Sequence, residues 1–255
     1  MTDLFSVTGR LALVTGSSRG LGRSLARALA RAGARLVVHG RDAASVAEAR
    51  AEMTALSGRP AHAVTFDVTD ADAVAASLGD LVDELGVPDI LVNNAGVQRR
   101  APFHEFPIAD WDALIAANLS GPFYVARALA PAFVERGSGK VVNVGSVQSV
   151  LARQTIAPYS ASKGGIAQLT RGMAADLARY GIQVNTLSPG YFATEMNRAL
   201  VDDAAFTSWL EARTPAGRWG DFSELDGALL FLCSDASSFV SGQNLVVDGG
   251  MTSVV

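Results

Sequence analysis

Short apolar runs alternate with longer amphipathic stretches along the whole chain. Apolar runs of about five residues are typical of buried strands, whereas apolar residues spaced three or four apart indicate helices. The predicted strands are 10–15, 35–39, 61–66, 89–93, 140–144, 182–187 and 244–247. The predicted helices are 21–32, 43–56, 70–85, 109–118, 122–135, 157–180 and 223–233. Strands that alternate with helices in this way predict an α/β fold, a parallel sheet with helices on both faces.

The alternation is not broken by a repeat, a low-complexity run or a linker rich in proline and serine. Residues 1–255 are therefore predicted to form a single domain. At about 191–220 the pattern is extended by an insertion with short helices of its own, ahead of the last predicted helix and strand.

Composition argues against several classes of function. A net charge of −4, spread along the chain, offers no basic surface for a nucleic acid. The N-terminus lacks the pattern of a signal peptide and no apolar run looks long enough to span a bilayer, so no membrane partner is expected. The single cysteine, Cys233, excludes an intramolecular disulfide and fits a reducing cytoplasm. His39, His62 and His104 have no cysteine or carboxylate at ligand spacing, so no metal site is predicted.

A glycine-rich turn, Thr15-Gly16-Ser17-Ser18-Arg19-Gly20-Leu21-Gly22, joins the first predicted strand to the first helix. Its glycines follow the spacing Gly-x-x-x-Gly-x-Gly. Such glycines let the backbone turn sharply and approach a pyrophosphate, which the N-terminus of the following helix favours electrostatically. The turn predicts a dinucleotide site, with contacts from Gly16, Ser18, Arg19, Gly20, Leu21 and Gly22.

The end of the second strand bears on which dinucleotide is bound. An NAD site places a carboxylate there for the ribose 2′-hydroxyl, but this strand ends His39-Gly40-Arg41. Asp42 lies at about the right distance and yet is better placed to cap the next helix. Arg19 and Arg41 could together bind a 2′-phosphate, because guanidinium groups match phosphate geometry. NADP is therefore the predicted cofactor, and NAD is the alternative.

Two more strand ends supply candidate cofactor contacts. Asp67 and Val68 follow the third strand and are predicted to contact the adenine. Asn94, Ala95 and Gly96 follow the fourth strand and are predicted to contact the cofactor as well. At least one of the adjacent asparagines, Asn93 or Asn94, is expected to satisfy backbone groups of the loop instead.

A possible proton donor lies in the long helix that begins near Pro158, a residue suited to a helix entry. Tyr159 and Lys163 are four residues apart and therefore share one helix face. A nearby ammonium favours the phenolate and is expected to lower the pKa of Tyr159 toward neutral pH. Taken alone, however, Tyr-x-x-x-Lys is a short motif that matches many helices by accident.

The features occur in one order: the glycine-rich turn, Asn-Asn-Ala-Gly at 93–96, Asn118, Ser146, Tyr159 with Lys163, and Pro189-Gly190. This joint pattern closely resembles the short-chain dehydrogenase/reductases over the whole chain. The resemblance implies a Rossmann-like, doubly wound sheet of seven parallel strands and an NAD(P)-dependent oxidoreductase. It implies nicotinamide contacts at Pro189, Gly190 and Thr194.

The resemblance also implies the roles of four catalytic residues. Ser146 would hydrogen-bond the reacting oxygen, and Tyr159 would exchange the proton. Lys163 would bind the nicotinamide ribose and lower the pKa of Tyr159. Asn118 would hold a water that links Lys163 to solvent.

Three stretches, 97–103, 147–153 and 191–220, resemble the family members that interconvert D-gluconate and 5-keto-D-gluconate. A polyhydroxy acid anion requires guanidinium groups for its carboxylate and amide or hydroxyl groups for its chain. The candidate substrate contacts are Arg100, Ser146, Gln148, Arg153, Tyr159 and Tyr191. At most one of the adjacent Arg99 and Arg100 can face inward, and the other is expected in solvent or paired with Glu105.

Other residues of these stretches qualify that resemblance. Val150 stands where the resemblance would place a glutamate, which bears on the exact substrate but not on the class of reaction. Phe206, Trp209 and Trp219 are expected to form the apolar underside of a substrate lid or a subunit contact rather than to bind substrate.

Alternative functions stay open at this stage. The same fold could act on another carbonyl, such as a 3-oxoacyl thioester or a different sugar or polyol. A nucleotide-sugar epimerase or a non-catalytic dinucleotide sensor is a more distant alternative. The resemblance implies a cytoplasmic homotetramer, and the apolar segment 251–255 could pack at an interface or fold back on its own subunit.

Overall fold

The computed structural model describes residues 3–193 and 198–255. The strands are β1 (Leu11–Val14), β2 (Arg35–Gly40), β3 (His62–Thr65), β4 (Ile90–Asn93), β5 (Gly139–Val144), β6 (Ile182–Pro189) and β7 (Asn244–Val247). They form one sheet in the order β3-β2-β1-β4-β5-β6-β7, and every neighbouring pair is parallel. This arrangement confirms the predicted seven-stranded parallel sheet. The strand order reverses direction between β1 and β4, where a sheet of this kind opens a crevice for ligands.

Helices cover both faces of the sheet, as predicted. In the described residues they are α1 (Gly20–Arg31), α2 (Ala43–Ser57), α3 (Ala71–Leu85), α4 (Ile108–Ile115), α5 (Gly121–Arg136), α6 (Ala157–Leu177), α7 (Arg198–Val201), α8 (Ala204–Arg213) and α9 (Asp226–Cys233). The carboxylate of Asp42 accepts a 2.8 Å hydrogen bond from the backbone N–H of Ser45 and so caps α2. The expectation that Asp42 serves as a cap is confirmed.

Two apolar layers hold the helices against the sheet, because successive strand residues point to opposite faces. Ala12 and Val14 of β1 face a core that includes Leu25 of α1 and Leu229 of α9. Leu11 and Leu13 face the other core, with Leu78 of α3 and Phe133 of α5. The central strands β1, β4 and β5 are buried on both faces, which explains their short continuous apolar runs in the sequence, whereas the edge strands β3 and β7 are partly exposed.

The predicted helix at 109–118 differs from the structure at its end. After α4, residues Ala116–Ser120 form a π-helical turn that leads directly into α5. A π turn adds a residue to the helical period and is frequent at functional sites. Asn118 lies in this turn and is buried.

One helical stretch in the described residues, Ile108–Arg136, is long and apolar enough to cross a membrane by length and composition alone. The expectation that no stretch would pass this test is therefore not met. The stretch is interrupted by the π turn, and Val125, Leu129 and Phe133 pack in the core beside α3. A core helix passes the same test of length and composition.

The C-terminal segment folds back on its own subunit. The side chain of Met251 is buried, and the guanidinium of Arg213 donates hydrogen bonds of 2.9 and 3.0 Å to the carbonyl oxygens of Met251 and Val254. Of the two arrangements left open by the sequence, the structure shows this one, with Val255 exposed at the end.

Candidate active site

The glycine-rich turn lies at the carboxyl end of β1 and opens α1. Gly16 and Gly20 have φ angles of +64° and +55°, which L side chains rarely adopt. A Cβ on Gly22 would lie 2.3 Å from the Asn94 amide nitrogen and from the Gly16 carbonyl oxygen. A Cβ on Gly20, by contrast, would meet no atom within 4 Å. Gly22 is therefore required for packing, whereas Gly20 faces open space.

The same turn presents unused hydrogen-bond donors. No side chain caps α1 at Arg19. The backbone N–H groups of residues 18–22 donate to no acceptor in the part of the chain that the structure describes. Converging N–H groups at a helix N-terminus attract an anion such as a pyrophosphate.

The asparagine loop after β4 holds the turn in shape. The Asn94 side-chain amide donates to the carbonyl oxygens of Thr15 and Gly16, at 2.9 and 3.2 Å. The Thr15 hydroxyl accepts from the backbone N–H groups of Asn94 and Ala95. Asn93 is buried and donates a 2.9 Å hydrogen bond to Asn143. Both asparagine side chains therefore bind protein groups, whereas the sequence led us to expect this of at least one of them.

Arg41 lies beyond β2 with its side chain 68% exposed, and its guanidinium is 3.3 Å from the carboxylate of Asp67. Arg19 is exposed at the mouth of the turn. Val68 is buried and lies against Gly121, where a Cβ would come within 2.9 Å of its methyl group. Arg41 and Asp67 therefore form an exposed ion pair beyond β2 and β3, and Val68 belongs to the core beside α5.

Ser146 and Tyr159 come from different elements and meet at the carboxyl end of β5. Ser146 follows β5 and caps the short 3₁₀ turn Val147–Ser149, its hydroxyl accepting from the backbone N–H of Gln148 at 3.2 Å. Tyr159 lies in the first turn of α6 and is half-buried. Their two hydroxyl groups are hydrogen-bonded to each other. The structure therefore brings together the two residues predicted to handle the reacting oxygen.

Lys163 lies one helical turn beyond Tyr159 and is buried. Its Nζ donates a 2.7 Å hydrogen bond to the carbonyl oxygen of Val144 and lies 5.7 Å from the centre of the Tyr159 ring. Burial lowers the pKa of Lys163 to about 8. The hydroxyl of Ser149 donates a 2.9 Å hydrogen bond to the Lys163 carbonyl oxygen, a support that the sequence did not indicate.

The predicted pKa of Tyr159 was wrong in direction. Burial raises the pKa of this phenol above its ordinary value, and the hydrogen bond from Ser146 and the charge of Arg100 oppose the rise only in part. Lys163 is not among the groups that lower this pKa, since its ammonium is directed at the Val144 carbonyl. Burial disfavours the charged phenolate by more than the nearby charge of Arg100 favours it.

Asn118 links the loop that follows β4 to α6. Its Oδ1 accepts from the Val97 N–H at 2.8 Å, and its Nδ2 donates to the Val97 carbonyl at 2.9 Å and to the Ser162 hydroxyl at 3.2 Å. The side-chain amide is therefore engaged by protein groups. The water link from Asn118 to Lys163 stays a prediction.

The substrate candidates form one electropositive group beside Tyr159. Burial lowers the pKa of Arg100, and the nearby charge of Arg153 lowers it further. Burial raises the pKa of Tyr191, whose hydroxyl hydrogen-bonds Arg153 and Gln148. Arg99 lies 3.6 Å from Asp110 instead. Of the two adjacent arginines only Arg100 faces inward, as expected, although the partner of Arg99 is Asp110 and not Glu105.

Neither inward arginine has an acidic partner among residues 3–193 and 198–255. The Nε of Arg153 is buried without a hydrogen-bond partner there, and its guanidinium lies 5.4 Å from the Phe206 ring centre. Arg100 donates a 3.3 Å hydrogen bond to the Gln98 side-chain oxygen. Two cations held together without a carboxylate suit an anionic ligand.

Thr155, between Arg153 and Tyr159, is strained. Its φ of +68° is the only positive value at a non-glycine residue in the described chain. Its carbonyl oxygen accepts a 3.1 Å hydrogen bond from the N–H of Ala101, the residue after Arg100. The strain therefore accompanies a backbone link between the two arginine-bearing loops, a link that the sequence did not indicate.

The insertion carries a cluster of aromatic side chains. The Tyr191 ring lies within 6.3 Å of three others, those of Phe206, Trp209 and Trp219, measured between ring centres. That these side chains form the apolar underside of a lid or a subunit contact stays a prediction. Pro189 ends β6 beside β7, and a Cβ on Gly190 would lie 2.7 Å from the Asp248 Cα. Thr194 lies outside the described residues.

Comparison with known proteins decides the family. A family profile described as enoyl-(acyl carrier protein) reductase matches residues 16–252. A gluconate 5-dehydrogenase of Gluconobacter oxydans (strain 621H) is 54% identical over 98% of this chain and 97% of its own. The chain belongs to the short-chain dehydrogenase/reductase family. It is an NAD(P)-dependent oxidoreductase.

Two further members of the short-chain dehydrogenase/reductase family resemble this one over nearly their whole length. A 5-keto-D-gluconate 5-reductase of Escherichia coli (strain K12) is 49% identical over 98% of each chain. The crystal structure of a gluconate 5-dehydrogenase from Burkholderia cenocepacia J2315, in complex with NADP and tartrate, is 55% identical, with a TM-score of 0.97 over 99% of each chain. The fold and the predicted family are therefore confirmed.

Proposed function

We propose that this enzyme interconverts D-gluconate and 5-keto-D-gluconate with NADP. The observation that carries the proposal is the pair Arg100 and Arg153, which lies beside Tyr159 without a carboxylate partner among residues 3–193 and 198–255. A sugar acid would place its carboxylate on the guanidinium groups and its hydroxyls on Gln148 and Tyr191. The similarity to gluconate 5-dehydrogenases and to a 5-keto-D-gluconate reductase supports this substrate.

The residues present fit NADP. The free N–H groups of residues 18–22 and the open space at Gly20 suit its pyrophosphate. Arg41 and Arg19 would hold the 2′-phosphate, and Asp42 is engaged as a helix cap. A related gluconate 5-dehydrogenase was crystallised with NADP. Pro189, Gly190 and Thr194 would hold the nicotinamide, which supplies or accepts the hydride at C5 when bound. NAD is the alternative cofactor.

The protein's part in the reaction is to place the substrate and to move one proton. In reduction, the Tyr159 hydroxyl gives its proton to the oxygen of the C5 ketone while Ser146 donates a hydrogen bond to the same oxygen. In oxidation, Tyr159 as phenolate takes the proton from the C5 hydroxyl. A raised pKa keeps Tyr159 protonated at neutral pH, which suits it to the donating role. Lys163 would bind the nicotinamide ribose.

The substrate is tested by following NADPH absorbance with three carbonyl compounds. We expect rapid oxidation of NADPH with 5-keto-D-gluconate, and kcat/KM at least about 100-fold lower with 2-keto-D-gluconate and with an acetoacetyl thioester. A preference for the thioester would overturn the sugar-acid assignment in favour of a 3-oxoacyl reductase. Absence of activity with all three would overturn the proposed reaction.

A different sugar acid or polyol is the second candidate substrate. Val150 follows the turn capped by Ser146 and is 61% exposed, so it offers an apolar surface at the substrate end. A substrate with fewer polar groups at the far end would suit that surface better than gluconate does. 2-Keto-3-deoxy-D-gluconate, which lacks one hydroxyl of gluconate, and galactitol, which lacks its carboxylate, are the compounds to add. Both are tested as alcohols, by the reduction of NADP⁺.

We infer a cytoplasmic homotetramer. Large apolar side chains are exposed near and along the helix pair α4 and α5, and another lies before β7: Phe103, Ile108, Trp111, Phe123 and Phe239. Exposed apolar groups of this kind favour association with other copies of the chain. Sedimentation velocity at two protein concentrations would show the tetramer, and a stable monomer would contradict it.

A further inference from the structure

The imidazole of His39 connects the glycine-rich turn to the end of β3. Its Nδ1 accepts a hydrogen bond of 2.9 Å from the backbone N–H of Gly16. Its Nε2 lies 3.1 Å from the carbonyl oxygen of Phe66. The side chain is only 2% exposed, and its ring lies 4.1 Å from the Phe66 ring, measured between centres. Both ring nitrogens are therefore committed to backbone groups of two different elements.

These two partners allow only one form of the ring. The N–H of Gly16 is a donor and requires a lone pair on Nδ1, whereas the carbonyl of Phe66 requires a proton on Nε2. The neutral tautomer protonated at Nε2 meets both requirements, and neither the other tautomer nor the imidazolium does. Burial lowers the pKa of His39 to about 4, so that the ring is neutral at physiological pH.

The backbone of His39 adds two more links to the same turn. Its N–H donates to the Ser17 hydroxyl, and its carbonyl oxygen accepts from the Ser17 N–H, both at 2.9 Å. On the other side of the ring, Phe66 precedes Asp67, whose carboxylate pairs with Arg41. His39 thus lies between the proposed pyrophosphate site and the proposed 2′-phosphate site.

We propose that His39 is a positioning residue for the adenosine half of the dinucleotide. Because its buried imidazole accepts the hydrogen bond of the Gly16 N–H, the turn has its shape before the cofactor binds. The N–H groups of residues 18–22 are then already directed at the ligand, and binding does not have to order them. The inference rests on the proposed dinucleotide site but not on the identity of the substrate.

Three substitutions separate positioning from simple filling of space. His39→Asn keeps an acceptor at the position of Nδ1, because the Asn Oδ1 is also bonded to Cγ. His39→Gln is closer to histidine in volume but moves its amide one bond further and leaves the Gly16 N–H without an acceptor. His39→Ala removes both contacts. His62→Asn, on the neighbouring β3, is the matched control.

The readout is binding of NADPH and of NADH to the substrate-free enzyme, measured by the fluorescence of the reduced cofactor. For the cofactor that the wild type binds, we expect His39→Asn to have a Kd within about 3-fold of wild type and His39→Gln and His39→Ala to bind at least about 10-fold more weakly. The kcat at saturating cofactor should change by less than about 3-fold in all four variants. A packing role alone would reverse the order and make Gln the better replacement.

The tautomer gives a second readout that does not depend on activity. Nitrogen NMR of the ¹⁵N-labelled wild type should show His39 with an unprotonated Nδ1 and a protonated Nε2 at neutral pH. A proton on Nδ1, or a Gln variant that binds cofactor as tightly as the Asn variant, would overturn the proposal. A wild type that binds neither NADPH nor NADH would refute the dinucleotide site itself, and with it a positioning role for His39.

Discussion

The Nζ of Lys163 lies 5.7 Å from the centre of the Tyr159 ring, while its hydrogen bond goes to the carbonyl oxygen of Val144 at 2.7 Å. The lysine is thus fixed beside the tyrosine without pairing with its hydroxyl. That hydroxyl bonds Ser146 instead. Burial favours the neutral form of both side chains, raising the pKa of Tyr159 and lowering that of Lys163 to about 8.

The two directions of the reaction should depend oppositely on pH. Oxidation requires the phenolate of Tyr159, whose pKa is raised, so kcat/KM for gluconate should increase steadily from neutral to alkaline pH. Reduction requires the phenol, so kcat/KM for 5-ketogluconate should be level near neutrality and fall only at alkaline pH. Both profiles are measured with NADP⁺ and NADPH at saturation. An oxidation rate that is already at its maximum at pH 6 would contradict the raised pKa.

The two inward arginines should contribute differently. Loss of either guanidinium should raise KM for 5-ketogluconate by about 10- to 100-fold, because a charged hydrogen bond to the substrate is removed. Arg100 also lowers the pKa of Tyr159, whereas Arg153 is not among the groups that shift it. Arg100→Gln should therefore move the alkaline rise of oxidation to higher pH, and Arg153→Gln should leave its position unchanged.

Arg99→Gln is the control for this pair, because Arg99 faces Asp110. Its KM and its pH profile should match those of the wild type. Equal shifts of the pH profile in the Arg100 and Arg153 variants would show that both charges act on Tyr159. An unchanged KM in both variants would show that Arg100 and Arg153 do not bind the carboxylate of the substrate.

Arg41 should determine the preference between the cofactors. Arg41→Ala removes a guanidinium that is free to leave Asp67 for a 2′-phosphate, since the pair is exposed and its contact is 3.3 Å long. We expect the ratio of kcat/KM for NADPH to that for NADH to fall by about 10- to 100-fold. Arg50→Ala, on the exposed face of α2, is the control. An unchanged ratio in the Arg41 variant would exclude binding of the 2′-phosphate by Arg41.

Thr155 should be replaceable by a residue that tolerates its backbone conformation. Asparagine enters the left-handed region readily, whereas a β-branched residue is strained there. Thr155→Asn is therefore expected to raise the free energy of unfolding by about 0.5–1 kcal/mol, measured by urea denaturation. The Thr155 carbonyl still accepts from Ala101, so KM should not change. Thr155→Val keeps the branch and should give no gain, and equal stabilisation by both variants would argue against strain.

Much of this architecture follows from local sequence. The central strands are predictable because they are buried on both faces, and Asp42 is predictable as a cap because the next helix begins directly after it. The convergence of Ser146 and Tyr159 follows from their places at one edge of a parallel sheet. The inward direction of one arginine from the pair 99–100 follows from alternation along the chain.

Other features depend on the folded surroundings and were not predictable. The direction of the Tyr159 pKa is set by burial, which no local pattern measures. The π turn at Ala116–Ser120 changes the helical period within an otherwise ordinary apolar stretch. The contacts of His39 join residues 23 and 27 positions away along the chain. In the sequence, the only indication of a role for His39 was its position at the end of the predicted second strand.

Tyr159 carries the proton of the proposed reaction, and Tyr159→Phe tests this role most directly. The substitution removes one oxygen, and Tyr180→Phe, in the 3₁₀ turn Ala178–Tyr180 that follows α6, is the matched control. We predict that kcat for reduction of 5-ketogluconate falls by about 100- to 10,000-fold in the Tyr159 variant while its Kd for NADPH stays within about 2-fold of wild type. A kcat within about 3-fold of wild type would contradict the proposed proton transfer.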